Sequence, residues 1–511
     1  MDLVLTPAQM RALEDKAFAL GVPSLLLMES AARAAHGAMI QALGGVAGKE
    51  VLYLCGPGNN GGDGLAMARM CAWDGGTPRV LLTEEPRTPD AQANLAYARA
   101  MGIPVTLWDG SQADAQTLGK PDAAVDAVYG TGFHGALPER LVALADVVNG
   151  WDAPVFAVDA PSGLDSLTGR VEGGVFLATR TIALGHLKTG LCLTQRTDAV
   201  GDLQCVPIGI PKEAYAALPE GVLTAAGEGD LAGLLPERAR HAHKGDAGRV
   251  LMYMGSMGMA GAAGMAALAA LRAGAGLVTV ACPYEVIPVL QALVPNAMCV
   301  QVEKAALKPP ARDVFALGCG LGQADAIWGN VKDIWREGER AVWDADALNL
   351  LARHPVRLGE NAVMTPHPGE AARLLGVPLE QVTGDPVAAA RSLHEKYGCA
   401  VVLKGHVSVI HDGARTALNV VGSPALAKGG SGDALTGILA ALMAQEKGKP
   451  PFDCAVAACL WLGMAGREAA RRHGVLSPLT RDVVDCVPDA VRTSQRASGS
   501  ECHNGSRHRP G

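Results

Sequence analysis

The sequence predicts an α/β protein of two domains, each built on a parallel sheet with helices on both faces. Three observations predict it. Short apolar runs of strand length alternate with alanine-rich segments of helical length. Glycine-rich turns follow the runs. After a polar, turn-rich stretch at 223–248 the same rhythm restarts with "RVLMYMGS". A chain of 511 residues exceeds one ordinary core, and its 49% hydrophobic content is enough for two. The expected division is 1–220, 221–491 and a disordered tail at 492–511, which is polar and has no apolar period.

Composition narrows the class. The net charge is −7 and no basic stripe is present, which points away from a nucleic-acid surface. The first residues lack the basic start and apolar core of a signal peptide. The most membrane-like stretch, 257–282, is interrupted by Arg272 and reads as a helix entering a strand, so no membrane is expected. Twelve cysteines contain no C-x-x-C pair and read as small core residues, which places the chain in the reducing cytoplasm. Alanine- and glycine-rich faces could pack subunits, which leaves a homo-oligomer open.

Residues 1–45 read as helical, with a start signal at Thr6-Pro7. From residue 50 the strands are "EVLYLCG", "PRVLLT", "IPVTLW", "AAVDAVYG" and "APVFAVDA". In such sheets ligands sit beyond the carboxyl ends of the strands. The first of these strands runs into "GPGNNGGDG", five glycines and two asparagines in nine residues, and then into a helix. Unpaired N–H groups at a helix start after a glycine turn make an anion site. "TGFHGALP" and "PSGLDSLTG" follow two later strands. Asp126 and Asp159 lie in or just after apolar runs, where a carboxylate is costly unless paired, bound to a cation or used chemically.

The second half continues with "GLVTVACP", "DVFALGCGLG", "RAVWDADALNLL", "NAVMTPHPGE" and "AVVLKGHVSVIHDG". Its most specific signal is "KGGSGDALTG" at 428–437. The glycine amides would hold phosphoryl oxygens at a helix start, and Asp433 beside them could accept a hydroxyl proton. Lys404 and the loop after it could serve nucleotide phosphates. His367 is held between two prolines at a strand end. No G-x-x-x-x-G-K-[ST] is present, so the nucleotide site is not a P-loop, and "GCGLGQ" lacks the third glycine of a dinucleotide fingerprint.

In order and spacing, "GPGNNGGDG", "VDAVYGTGFHG" and "AVDAPSGLD" resemble the NAD(P)H-hydrate epimerase domain, a Rossmann-like three-layer α/β/α fold. "ALGCGLG", "DADALN", "TPHPGE", "LKG" and "AKGGSGDALTG" resemble the NAD(P)H-hydrate dehydratase domain, which is ribokinase-like. The fusion resembles the bacterial bifunctional nicotinamide nucleotide repair enzymes over roughly 1–490. The resemblance implies that the first domain interconverts the R and S epimers of NADHX and NADPHX at C6. It implies that the second dehydrates the S form using ADP, giving AMP and phosphate.

Residue roles follow from matched motifs. Asp159 is implied as acid/base and Asp433 as base. Asn59, Asn60, Gly61, Gly62 and Asp63, with Gly130, Thr131, Gly132, Phe133, His134, Gly135 and Ala136, are implied to contact the substrate in the first domain. Asn60, Asp126 and Ser162 match a K+ site. Ala262, Gly320, Gly322 and His367 are implied to meet the hydrate in the second domain. Lys404, Gly405, His406, Val407, Ser408 and Gly432 are implied to bind ADP, with Mg2+ accompanying it. Two positions depart from the pattern: Cys319 stands where proline is usual, and His406 where a small residue or threonine is usual. The alternative is a ribokinase-like vitamin-precursor kinase with a non-catalytic N-terminal binding domain.

Overall fold

The computed structural model describes residues 1–108, 110 and 118–502, and the chain falls into two units, Asp2–Val222 and Leu223 onwards. In the first unit, the apolar runs become strands, buried on both faces at the centre of the sheet and more exposed at its edges. They are β2 (Glu50–Cys55), β3 (Thr77–Leu82), β4 (Val105–Leu107), β5 (Ala123–Ala127), β6 (Val155–Val158), β7 (Arg180–Leu184) and β9 (Asp202–Val206), in the order β4-β3-β2-β5-β6-β7-β9. All neighbours are parallel. The chain steps outward from β2 to β3 and β4, then returns to β5 on the other side of β2. That reversal opens a crevice at the carboxyl ends of β2 and β5, where ligands bind in sheets of this kind.

Alternation along β2 makes three layers. Val51, Tyr53 and Cys55 enter one core with Leu13, Ala35 and Leu65, whereas Leu52 and Leu54 enter another with Leu141, Leu144 and Val148. The helix Pro7–Ala19 starts as its sequence predicts. Thr6 caps it, Gln9 completes the capping box, and Pro7 occupies the first turn. Before it lies a strand that the helical reading of 1–45 omits, β1 (Asp2–Leu5), parallel to the short β8 (Leu187–Lys188).

The second unit repeats the logic. Its strands are β10 (Leu223–Ala225), β11 (Arg249–Tyr253), β12 (Leu277–Cys282), β13 (Met298–Gln301), β14 (Val314–Leu317), β15 (Ala341–Trp343), β16 (Ala362–Met364), β17 (Ala400–Leu403), β18 (Ser408–His411) and β19 (Thr416–Asn419). Their order is β13-β12-β11-β14-β15-β16-β17-β18-β19-β10, with antiparallel pairing at β17-β18-β19 and parallel pairing elsewhere. The chain again reverses, between β11 and β14. The stretch 257–282 is the helix Ala260–Arg272 followed by β12.

The expected break at 492 falls inside the helix Val487–Cys502. Val487 and Ala490 are buried in it, and the Ser494 hydroxyl, buried on the same spacing, donates to the Glu228 carbonyl (2.7 Å) and accepts from the Ala232 N–H (3.1 Å). Residues 503–511 lie outside the described residues. Among the described residues, no helix is long and apolar enough to cross a membrane.

Candidate active sites

A cavity of about 700 Å³ opens at the carboxyl ends of the first unit's sheet. Asn59, Asn60 and Asp63 reach it from the start of the helix Asn59–Trp73, directly after β2. Gly130 to His134 and Ala136 reach it from the loop after β5, and Asp159 from the turn after β6. Gly61, Gly62 and Gly135 are not among its lining residues. Gly61 has another reason to be glycine. A Cβ there would lie 1.9 Å from the Gly56 carbonyl oxygen, so the helix could not start so close to the strand end.

Asp159 is the most constrained residue of this site. Its φ is 67°, a left-handed conformation unusual for a residue with a side chain. Its carboxylate accepts from the Thr131 N–H (2.9 Å), the Leu184 N–H (3.3 Å), the Thr131 hydroxyl and the Lys188 ammonium. Lys188 is buried and also donates to the Leu184 carbonyl (2.7 Å). Burial opposes the charge on Asp159, but Lys188 and the Thr131 bonds outweigh it and hold its pKa below the usual carboxylate range. Asp63 is the opposite case. Burial, with Asp159 and Glu14 nearby, pushes its pKa well up.

Beneath the cavity, Asp126 is fully buried. It accepts from the Ser162 N–H (2.7 Å), the Ser162 hydroxyl (2.6 Å) and the Val128 N–H (3.2 Å). Burial outweighs those bonds and raises its pKa to about 6. The Ser162 oxygen also accepts from the Tyr129 N–H (2.8 Å). The Asn60 amide nitrogen is buried with no partner among the described residues.

In the second unit, a cluster gathers at the carboxyl ends of β14 to β17. Gly430, at φ 96°, caps the helix Ser431–Gln445, and Asp433 lies in its first turn. Burial raises Asp433 to about 6; Asp344 and Asp346 add to the rise, whereas a hydrogen bond from the Cys319 thiol and the charge of Lys404 oppose it. Asp344, buried after β15, accepts from Lys404 (2.7 Å) and from the Thr436 hydroxyl (2.8 Å). Burial disfavours the Lys404 ammonium, but Asp344 and Glu370 outweigh it and raise its pKa.

The remaining expected residues surround this cluster. A Cβ on Gly432 would lie 3.3 Å from Lys404 Nζ. Gly320 and Ala262 are adjacent: a Cβ on Gly320 would sit 3.1 Å from the Ala262 methyl. Gly322 donates its N–H to Asp346 (2.8 Å). Gly405, His406 and Val407 form the turn between β17 and β18, with His406 exposed, and Ser408 begins β18. His367 caps the helix Pro368–Leu375: its Nδ1 accepts from the Gly369 N–H (3.0 Å), and its own N–H donates to Glu370 (2.8 Å).

Four side chains in these sites carry no role from the sequence: Lys188, Glu14, Asp344 and Thr436. Asp344 ends an apolar run as Asp159 does, so the same strand-end argument could have found it. Lys188 closes the run "TIALGHLK", a weaker signal of the same kind. Nothing local marks Glu14, whose helix Pro7–Ala19 forms one wall of the cavity.

The family described as "NAD(P)H-hydrate dehydratase" matches residues 250–489, and "YjeF-related protein N-terminus" matches 24–190. A Pyrobaculum aerophilum protein called bifunctional NAD(P)H-hydrate repair enzyme is 35% identical over 508 residues, covering 96% of this chain and 98% of that one. The chain belongs to the bifunctional NAD(P)H-hydrate repair enzyme family. A second member of that family, from Moorella thermoacetica, is 37% identical over 499 residues and covers 92% and 93% of the two chains. A solved structure, the ADP/ATP-dependent NAD(P)H-hydrate dehydratase of Bacillus subtilis co-crystallized with ATP/Mg2+, is 30% identical with a TM-score of 0.49, covering 53% of this chain and 98% of that chain. The helix Pro7–Ala19 lies ahead of the segment matched by the N-terminal family.

Proposed function

We propose that the cavity around Asp159 epimerises NADHX and NADPHX at C6, and that the cluster around Asp433 dehydrates the S epimer. The chain is a bifunctional NAD(P)H-hydrate repair enzyme, with an epimerase unit followed by an ADP-dependent dehydratase unit. The observation that carries the dehydratase assignment is Asp433 in the first turn of a glycine-capped helix, with Lys404 anchored beside it.

Hydroxide is a poor leaving group, so the C6 hydroxyl must first be activated. Asp433 takes the hydroxyl proton as the C6 oxygen bonds to the β-phosphorus of ADP and AMP departs. The N–H groups at the start of Ser431–Gln445 and the Lys404 ammonium stabilise the charge on the transferring group. The Ser431 hydroxyl is buried without a partner among the described residues and is available to the same oxygens. Phosphate then leaves C6, pushed by the N1 lone pair, and loss of a C5 proton restores the ring double bond. Asp344 keeps Lys404 and the helix in register by bonding both Lys404 and Thr436.

In the first unit Asp159 is the acid/base group at C6, kept ionised by Lys188, and the 59–63 and 130–136 segments hold the substrate. Asn60, Asp126 and Ser162 supply oxygen donors that fit K+. The fit is supported by Asp126, a buried carboxylate with no basic side chain paired to it among the described residues. K+ bound there would neutralise Asp126 and steady the Tyr129–Gly130 backbone. Mg2+ arrives on the ADP phosphates. Among the described residues, no group of three His, Cys, Asp or Glu side chains is placed to hold a metal.

The test is recovery of reduced-nicotinamide absorbance from an equal mixture of R- and S-NADPHX with ADP, Mg2+ and K+. Wild type should recover all of it, Asp433→Ala none, and Asp159→Ala should stall near half at early times, before spontaneous epimerisation intervenes. No recovery by wild type with ADP or ATP would overturn the repair reading. Accumulation of a stable phosphorylated product would instead favour a small-molecule kinase.

A further inference from the structure

One face of the helix Pro7–Ala19 lines the epimerase cavity through Pro7, Met10, Arg11, Glu14 and Phe18, residues spaced three or four apart. This wall is distinct from the strand-end wall that carries Asn60, Asp63, Asp159 and Lys188. Glu14 is its one carboxylic acid. It is half-buried, and no ion pair or hydrogen bond engages its carboxyl group among the described residues. Lys188, the buried cation of the cavity, is committed to Asp159.

We propose that Glu14 is a second proton-handling catalytic residue of the epimerase site, acting on the C6 oxygen from the helix wall while Asp159 acts from the strand-end wall. The inference rests on the epimerase reading of this cavity. Inversion at C6 by loss and re-addition of water requires a proton donor where the old C–O bond breaks and an acceptor where the new one forms. The Glu14 carboxylic acid donates its proton to the departing hydroxyl, which leaves as water as the N1 lone pair forms an N1–C6 double bond. A water molecule then adds to the other face of C6, the double-bond electrons return to N1, and Asp159 takes the proton. The net proton moves from Glu14 to Asp159 and returns through solvent, and the reverse epimerisation exchanges the two roles.

The electrostatics support this division. Burial raises Glu14 to about 7, with Asp159 and Asp15 adding to the rise and Lys188 and Arg11 opposing it. Asp159 is held ionised. Two carboxyl groups in one cavity with pKa values driven apart are the pattern of an acid and base pair. Asp63 is also driven up, by burial first and then by Asp159 and Glu14. It shares the strand-end wall with Asp159, however, so it does not supply a group on the opposite wall.

The experiment follows conversion of pure R-NADPHX to the S epimer without ADP, resolved chromatographically, with an enzyme-free control subtracted. It uses the full chain as wild type, Glu14→Gln and Glu14→Asp. Wild type should slow as pH rises through about 7, because the donor loses its proton. Glu14→Gln should be slower by about 10²-fold or more and should lack that alkaline fall. Glu14→Asp should keep the fall with a smaller loss of rate. A Glu14→Gln enzyme with the wild-type rate overturns the proposal. So does one that is slower but keeps the same fall, since Glu14 would then be structural only. If wild type itself does not exceed the control, the epimerase reading falls and takes this inference with it.

Discussion

Asp159 and Asp433 stand in opposite electrostatic settings. Asp159 accepts from a buried ammonium and three further hydrogen-bond donors, so it is ionised throughout the neutral range. Asp433 has two further carboxylates near it, and burial keeps it protonated up to about pH 6. A base must be deprotonated to act, so dehydratase kcat/KM for S-NADPHX should fall as pH drops through about 6. Asp433→Asn should remove the activity at every pH. Stability has its own sign. The folded-state pKa lies above the unfolded value, so this group's contribution is full below the ordinary carboxylate range and declines as pH rises towards about 6. Acid therefore costs the enzyme dehydratase activity before it costs this part of the fold.

Helix starts and helix crossings in this chain depend on the absence of side chains. The helices Ala260–Arg272 and Ser431–Gln445 lie so close that a Cβ on Gly437 would be 2.1 Å from the Ala266 carbonyl oxygen. Gly437→Ala must push apart the helix that carries Asp433, and about 1–3 kcal/mol of destabilisation is expected. Gly132 is the control: a Cβ there meets nothing within 4 Å, and Gly132→Ala should melt as wild type does. Denaturant unfolding of both variants checks the pair. A Gly437→Ala protein as stable as Gly132→Ala would show that the crossing can relax. His367 shows an element deciding a residue's part. Its position between two prolines makes it a helix cap whose ring nitrogen serves the Gly369 N–H.

For the whole molecule, the two units each have their own reversal point and cluster of titratable groups. Their demands can therefore be separated in one assay. Replacing K+ by Na+ should slow R-to-S conversion and leave ADP-dependent dehydration of pure S-NADPHX unchanged, because Asn60, Asp126 and Ser162 all belong to the first unit. Equal slowing of both reactions, measured on the same preparation, would remove the cation from the epimerase site.

Much of this architecture was legible in the sequence because its causes are local. Apolar runs bounded by glycine turns specify buried parallel strands, and ligand-facing loops follow their carboxyl ends, so the loops after β2, β5 and β6 are expected on one face from the sequence alone. Thr6-Pro7 marks a helix start through its own next three residues. What the tertiary structure alone decided depends on chain reversal and burial. Lys188 meets Asp159 across 29 residues, Lys404 meets Asp344 across 60 and Thr436 meets Asp344 across 92. No local pattern encodes those separations. Which face of Pro7–Ala19 turns to the cavity, and so which acid stands opposite Asp159, was likewise invisible. The polar segment after 492 had no apolar period to announce a helix, yet the helix Val487–Cys502 runs through it, with Ser494 bonded to Glu228 far away in the chain. Backbone preference acts between neighbours in the chain, whereas the charge state of a buried carboxyl is set by whatever the fold brings beside it.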